Sequence, residues 1–223
     1  MTRSRLRASL IFNLLIFALA LAATLMMFTG FDLMGKNLTL TATRLEAFKF
    51  FTVDSNVFAG IASLLIAICE IGALRRGEYR IPVWARTLKL CAATAVAVTF
   101  LVTAGFLGFL VEDYFSLYLN ANFFFHFLIP VLCAVSFLCF EQSIPPLSIR
   151  AALCGVLPTA LYAVYYGINV FSHAENGRVS PRYDWYYFVQ GGVWQIWIVL
   201  PVMLLFSYLI ALAFWGINRA RKL

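Results

Sequence analysis

Six apolar runs dominate the chain, at about 8–30, 51–73, 87–110, 122–140, 149–171 and 191–217 of its 223 residues. A helix needs roughly 20 apolar residues to cross about 30 Å of hydrocarbon, and each run is near that length. The connectors between them leave no room for a soluble catalytic domain. Alternation at period two is absent, which argues against a membrane β-barrel. The composition agrees: 63% of the residues are apolar or aromatic and 12% are charged, far from a soluble domain and farther from a disordered chain. The expected architecture is all-α, one polytopic integral membrane domain over 1–223, a bundle of six transmembrane helices.

The first run follows Arg3, Arg5 and Arg7, and Ala18-Leu19-Ala20 imitates a cleavage site. It continues through Phe28, longer than the apolar region of a signal peptide, so it is expected as the first span. Six spans place twelve of the 17 Lys and Arg residues on the side of the termini and five on the other. The positive-inside rule then puts both termini in the cytoplasm. A pI near 9.3 reflects charges at span ends, where anionic headgroups sit, and no basic aromatic groove for a nucleic acid is present. The five cysteines lie in or beside spans with no metal spacing, and read as small core residues. Asn37-Leu38-Thr39 is a glycosylation sequon on the expected outer side.

Polar side chains are costly in lipid and mark buried sites or aqueous paths. Span two opens with Thr52, Asp54, Ser55 and Asn56, and Thr52, Ser55, Asn56 and Ala59 fall on one helical face. Span four opens with Asn122 and His126, one turn apart. Pro130, four residues after His126, has no N–H for the carbonyl of residue 126, so the helix should loosen there. Tyr165, Tyr166 and Asn169 close span five, while Gln190, Trp194 and Gln195 open span six. The inner halves of the spans read as almost wholly apolar, with Glu70 expected to pair with Arg75 or Arg76. The polar groups thus gather at the outer end, and this is where a site is expected.

A threonine hydroxyl becomes a nucleophile when a base takes its proton, and a neutral imidazole does that work. Thr52 and His126 begin two spans running in the same direction from similar depth, so the pair can meet in the bundle. Asp54, Asn122, Glu112 and Asp113 are candidates to orient the histidine, and the sequence does not choose among them. Asn56, Tyr166 or Gln195 would supply oxyanion donors. Asp54 has alternatives in an ion pair with Lys49 or an interfacial position. The run Trp185-Tyr186-Tyr187-Phe188 also reads as an interfacial aromatic belt.

Phe48-Lys49-Phe50-Phe51-Thr52 resembles the aromatic-Lys-aromatic-apolar-Thr motif that opens the second span of the androgen-induced membrane proteins. His126 before Pro130 resembles that family's histidine near the start of its fourth span. These are six-span intramembrane threonine hydrolases that cleave fatty acid esters of hydroxy fatty acids. The resemblance implies Thr52 as nucleophile and His126 as its partner. Phe51-Thr52 with Ser55-Asn56 is also similar to bacterial six-span relatives, which implies a multi-pass protein of a bacterial inner or plasma membrane. Phe48 stands where the animal proteins carry tryptophan, their histidine-to-proline interval is one residue longer, and Asp54 lies outside their motif. A bacterial relative would cleave or transfer another acyl ester.

The expectation is therefore a metal-independent hydrolase of a lipid-like ester, with no cofactor, no nucleic acid and no obligate protein partner. Thr52 and His126 would act on the ester, and Asp54, Ser55, Asn56, Asn122, Tyr166, Asn169, Trp194 and Gln195 would support them or line the pocket. The alternative is a non-catalytic transporter or lipid-binding protein that uses the same outer-leaflet pocket. Transport is disfavoured by the lack of an internal repeat between 8–110 and 122–217. A haem held by two intramembrane histidines is unsuited because His173 falls in a loop. A zinc site lacks a ligand set around His126.

Overall fold

The computed structural model describes residues 2–33, 42–78, 80–111, 113–141 and 146–221. Lys36, the Asn37 sequon, Glu112 and Lys222 lie outside the described residues. Six helices are long and apolar enough to cross a membrane, the layout of a multi-pass membrane protein: α1 Arg3–Thr29, α2 Phe51–Arg76, α3 Val83–Phe109, α4 Ala121–Phe140, α5 Ile149–Ser172 and α6 Val193–Ala220. The apolar runs of the sequence correspond to them one for one.

Burial follows the logic of lipid as a solvent. Ile11, Leu14, Leu21 and Leu25 of α1 point outward. The buried positions of the same helix are Leu6, Ser9, Asn13, Ile16, Ala20, Ala23 and Met27. Their alternating spacing of three and four residues is a heptad stripe, which keeps one face on a neighbouring helix. That neighbour is α2, and the contact is built from small residues. A Cβ placed on Gly60 would stand 2.7 Å from the Cβ of Ala20, so only glycine permits this approach. Close packing of small residues is a main source of helix association in lipid, where the hydrophobic effect between helices is absent.

Hydrogen bonds between helices fix which ends meet. Asn13 of α1 contacts Glu70 of α2 and Glu141, just beyond α4. Lys89 of α3 reaches Asn13, and Asn218 of α6 reaches the carbonyls of Phe137 and Glu141. The starts of α1 and α3 and the ends of α2, α4 and α6 therefore share one end of the bundle, with both termini. This end corrects the expectation of wholly apolar inner halves. Asn13, Ser63, Glu70, Lys89 and Ser136 are completely buried there, with Arg86 and Glu141 nearly so. Glu70 takes its hydrogen bond from Asn13, not from Arg75 or Arg76.

The opposite end carries the loops. Between α5 and α6 a two-stranded hairpin pairs β1, Ala174–Glu175, with β2, Arg178–Val179. Asn176 and Gly177 join the strands, both with positive φ, the turn that an Asn-Gly pair favours. The rest of this loop folds back over α2 and α5, where it closes the candidate site.

Candidate functional site

Thr52 lies in the first turn of α2, immediately after the chain leaves a 3₁₀ turn at Arg44–Lys49. Two features anchor that entry. The Phe51 N–H donates to the Tyr186 hydroxyl at 2.7 Å, and the Tyr162 hydroxyl donates to the Lys49 carbonyl at 2.5 Å. The first turn of a helix has N–H groups without intrahelical partners, and Tyr186 satisfies one of them. The Thr52 hydroxyl itself makes no hydrogen bond among the described residues.

Thr52 lines a cavity between α2, α3, α5, α6 and the loop before α6. Val98, Val102, Leu200, Met203 and Phe188 supply an apolar lining, and Thr52, Thr99, Thr103, Thr159, Tyr162, Tyr166 and Tyr186 add hydroxyls. No charged side chain among the described residues lines it. Most of these hydroxyls are engaged: Thr99 with Ser55 at 2.8 Å, Thr159 with Ser207 at 3.0 Å, Tyr166 with Asp184. The buried Thr103 oxygen has no partner among the described residues. The cavity therefore suits a mainly apolar, uncharged ligand portion with one or two polar atoms.

Asp184 organises the loop that covers the cavity. Its carboxylate accepts from the Tyr166 hydroxyl, the Phe188 N–H at 2.9 Å and the Val189 N–H at 3.1 Å. Asn169 donates to the Tyr183 carbonyl at 2.7 Å, and the Trp185 indole N–H donates to the Tyr162 hydroxyl at 2.9 Å. These bonds hold Tyr186 in place above Thr52. Burial pushes the Tyr186 phenol up to about 12, so it stays a neutral hydroxyl.

His126 sits on a different wall. Ahead of Pro130 the helix widens into a π-helical turn over Phe124–Leu128, the structural outcome of the backbone loosening expected from the proline. Such turns recur at functional sites. The His126 Nδ1 is 2.6 Å from the Leu117 carbonyl oxygen. A carbonyl only accepts, so Nδ1 carries the hydrogen and Nε2 presents the lone pair of a neutral base. The ring packs edge-on against Tyr118 at 6.2 Å. Burial and the neighbouring Tyr114 hydroxyl raise the Tyr118 pKa.

Asn56 joins the two segments. Its amide nitrogen donates to the Thr52 carbonyl at 2.7 Å and to the Phe125 carbonyl at 3.1 Å. The nucleophile candidate and the histidine thus stand on adjoining backbone, although no hydrogen bond links their side chains and His126 does not line the cavity. Ser55 turns toward α3, bonded to Thr99, and Asn122 is buried one turn before His126.

The other candidates disperse. Asp54 is half-buried, and Lys49 bonds Glu46 at 2.9 Å, not Asp54. Asp113 caps its own turn through the Phe115 N–H. Gln195 accepts from the Gly191 N–H at 2.7 Å, and Trp194 is exposed. Asn56 and Tyr166 spend their donors on protein partners, so neither is free for an oxyanion. The group that orients His126 is the Leu117 carbonyl, and a backbone acceptor has no sequence signature. Asp184 was also missed, although an acidic residue inside an aromatic run is a visible anomaly. Comparison of the chain with protein-family models, with curated proteins and with solved structures returns no match.

Proposed function

We propose that this protein is an intramembrane hydrolase that cleaves a lipid-like ester through Thr52, with His126 as general base. The single observation that carries the reading is Thr52, its hydroxyl unbonded among the described residues, lining an uncharged cavity on backbone tied by Asn56 to the histidine segment. The acyl chain occupies the apolar part of the cavity. The Thr52 oxygen attacks the ester carbonyl and its proton passes to His126 Nε2. The tetrahedral intermediate collapses, the alkoxide leaves with that proton, and water then releases the acyl group from Thr52. Catalytic hydrogen bonds are often long before substrate binds, and here ligand entry must draw the two side chains together. With both termini in the cytoplasm, the cavity opens toward the outer leaflet, where such a lipid resides.

A second reading has an observation in its favour. His126 lies off the cavity wall and the nearby amide and tyrosine donors are committed, which suits a lipid-binding pocket without chemistry. Purified protein in detergent, offered a panel of long-chain acyl esters beside Thr52→Ala and His126→Ala, separates the two. Cleavage lost in both folded variants supports the hydrolase. Binding of the esters without cleavage by any form selects the second reading.

A further inference from the structure

The buried polar cluster at the termini end has no part in the proposed hydrolysis. Its hydrogen bonds are unevenly shared between two carboxyl groups. Glu141 Oε1 receives the Ser136 hydroxyl at 2.8 Å and the Asn13 amide at 3.5 Å, and the Lys89 ammonium stands 3.5 Å from it as an ion pair. Arg86 adds favourable charge near it. Glu70 Oε2 receives the same Asn13 amide at 3.1 Å. Among the described residues Glu70 has no basic group within ion-pair distance.

Lys89 donates to Asn13 and to Ser63 at 3.1 Å, and its ammonium pairs with Glu141 at 3.5 Å, while Glu70 lies beyond ion-pair distance from it. Two carboxylate oxygens, Glu70 Oε1 and Glu141 Oε2, are buried without a hydrogen-bond donor among the described residues. The groups acting on Glu70 are Ser9 and Asn13 from α1, Lys89 from α3, Glu141 beyond α4 and Cys69 beside it on its own helix; Arg86 of α3 and Cys133 of α4 act on Glu141. Glu141 thus holds the Lys89 counter-ion in direct contact, whereas the hydrogen bonds to Glu70 come from neutral donors, with Glu141 a like charge nearby and Lys89 beyond ion-pair distance. A buried carboxylate in that position is costly, and a proton on it removes the cost.

We infer that Glu70 is a proton-binding site: it carries a proton as a neutral acid beside the Lys89–Glu141 ion pair. The Asn13 amide touches both carboxyls, so the two are coupled through one donor. Loss of the proton places a second negative charge at the junction of α1, α2, α3, α4 and α6, making the helix contacts there responsive to pH. This site lies at the opposite end from Thr52 and is independent of the ester chemistry.

Infrared difference spectroscopy during a pH titration tests it on the full chain in lipid nanodiscs. Wild type should show the carbonyl stretch of a protonated carboxylic acid at neutral pH, fading as pH rises. Glu70→Gln should remove that band, while Glu141→Gln and Asp54→Asn should keep it. Glutamine copies the neutral acid in size and charge, so Glu70→Gln should fold and melt no lower than wild type. A wild type with no such band, a band that survives Glu70→Gln or vanishes in Asp54→Asn, or a collapse of Glu70→Gln would each overturn the inference.

Discussion

The two ends of the bundle solve the problem of polar atoms in lipid in opposite ways. At the loop end the buried groups around the cavity are neutral hydroxyls and amides, several matched to a neighbour or a backbone carbonyl, as with Ser55–Thr99 and Asn56–Phe125, and the one buried carboxylate, Asp184, is met by three donors. Among the described residues Thr52, Thr103 and the Asn56 side-chain oxygen are left over, and both threonines line the cavity. At the termini end the buried groups are charged, and Lys89 is encircled by Asn13, Ser63 and Glu141. Neutral groups leave room for a ligand because an unmet hydroxyl costs far less than an unmet charge. Charged groups draw their neighbours in, since burying one without a partner is the costlier error. The same fold therefore keeps an open pocket at one end and a locked junction at the other.

The contrast predicts graded effects. Lys89→Met removes the only ammonium of the junction and strands Glu141, which should cost roughly 3–5 kcal/mol, the usual penalty for breaking a buried ion pair. Thermal unfolding in detergent measures it, and a loss below about 1 kcal/mol would erase the distinction between the ends. Asp184→Ala releases three donors in the loop over the cavity and should cost about 2–3 kcal/mol, given typical values for hydrogen bonds to charged groups. Hydrogen exchange should rise in the loop before α6 and stay unchanged around Lys89. Tyr186→Phe deletes one acceptor and should cost about 1 kcal/mol.

Tyr186 also carries a pH signature. Its folded pKa, about 12, lies above the ordinary tyrosine value near 10. The unfolded chain loses this proton first as pH rises, so the stabilisation is complete below about pH 10 and is lost toward about pH 12. Tyr186→Phe should flatten that part of the stability curve. The smallest change in stability belongs to Thr52→Ala, within about 0.5 kcal/mol because its hydroxyl bonds nothing. That variant should nevertheless reduce ester cleavage to background, so stability and activity diverge most at this residue.

Much of this organisation is legible in the chain. The apolar runs give the six helices, and Pro130 announces the π-helical turn beside His126. The polar stripe of α2 is visible too, but it extends beyond Thr52, Ser55, Asn56 and Ala59. Ser63 and Glu70 continue the same spacing of three and four residues down to the termini end. The second cluster was hidden because its members are scattered over α1, α2, α3 and α4, one or two per helix. Asn13 alone in an apolar run, or Lys89 near a helix start, reads as an isolated polar residue. Only packing brings them together. Leu117 and the loop around Asp184 were illegible for a related reason, since their partners are backbone atoms more than local pattern.

The central claim is that Thr52 is a nucleophile activated by His126. Labelling with a fluorophosphonate carrying a long alkyl chain, followed by peptide mass spectrometry, tests it directly. The account predicts one modified site, at Thr52, with labelling abolished in Thr52→Ala and strongly reduced in His126→Ala. An unlabelled protein that still binds the alkyl probe, or a label at another residue, would contradict it.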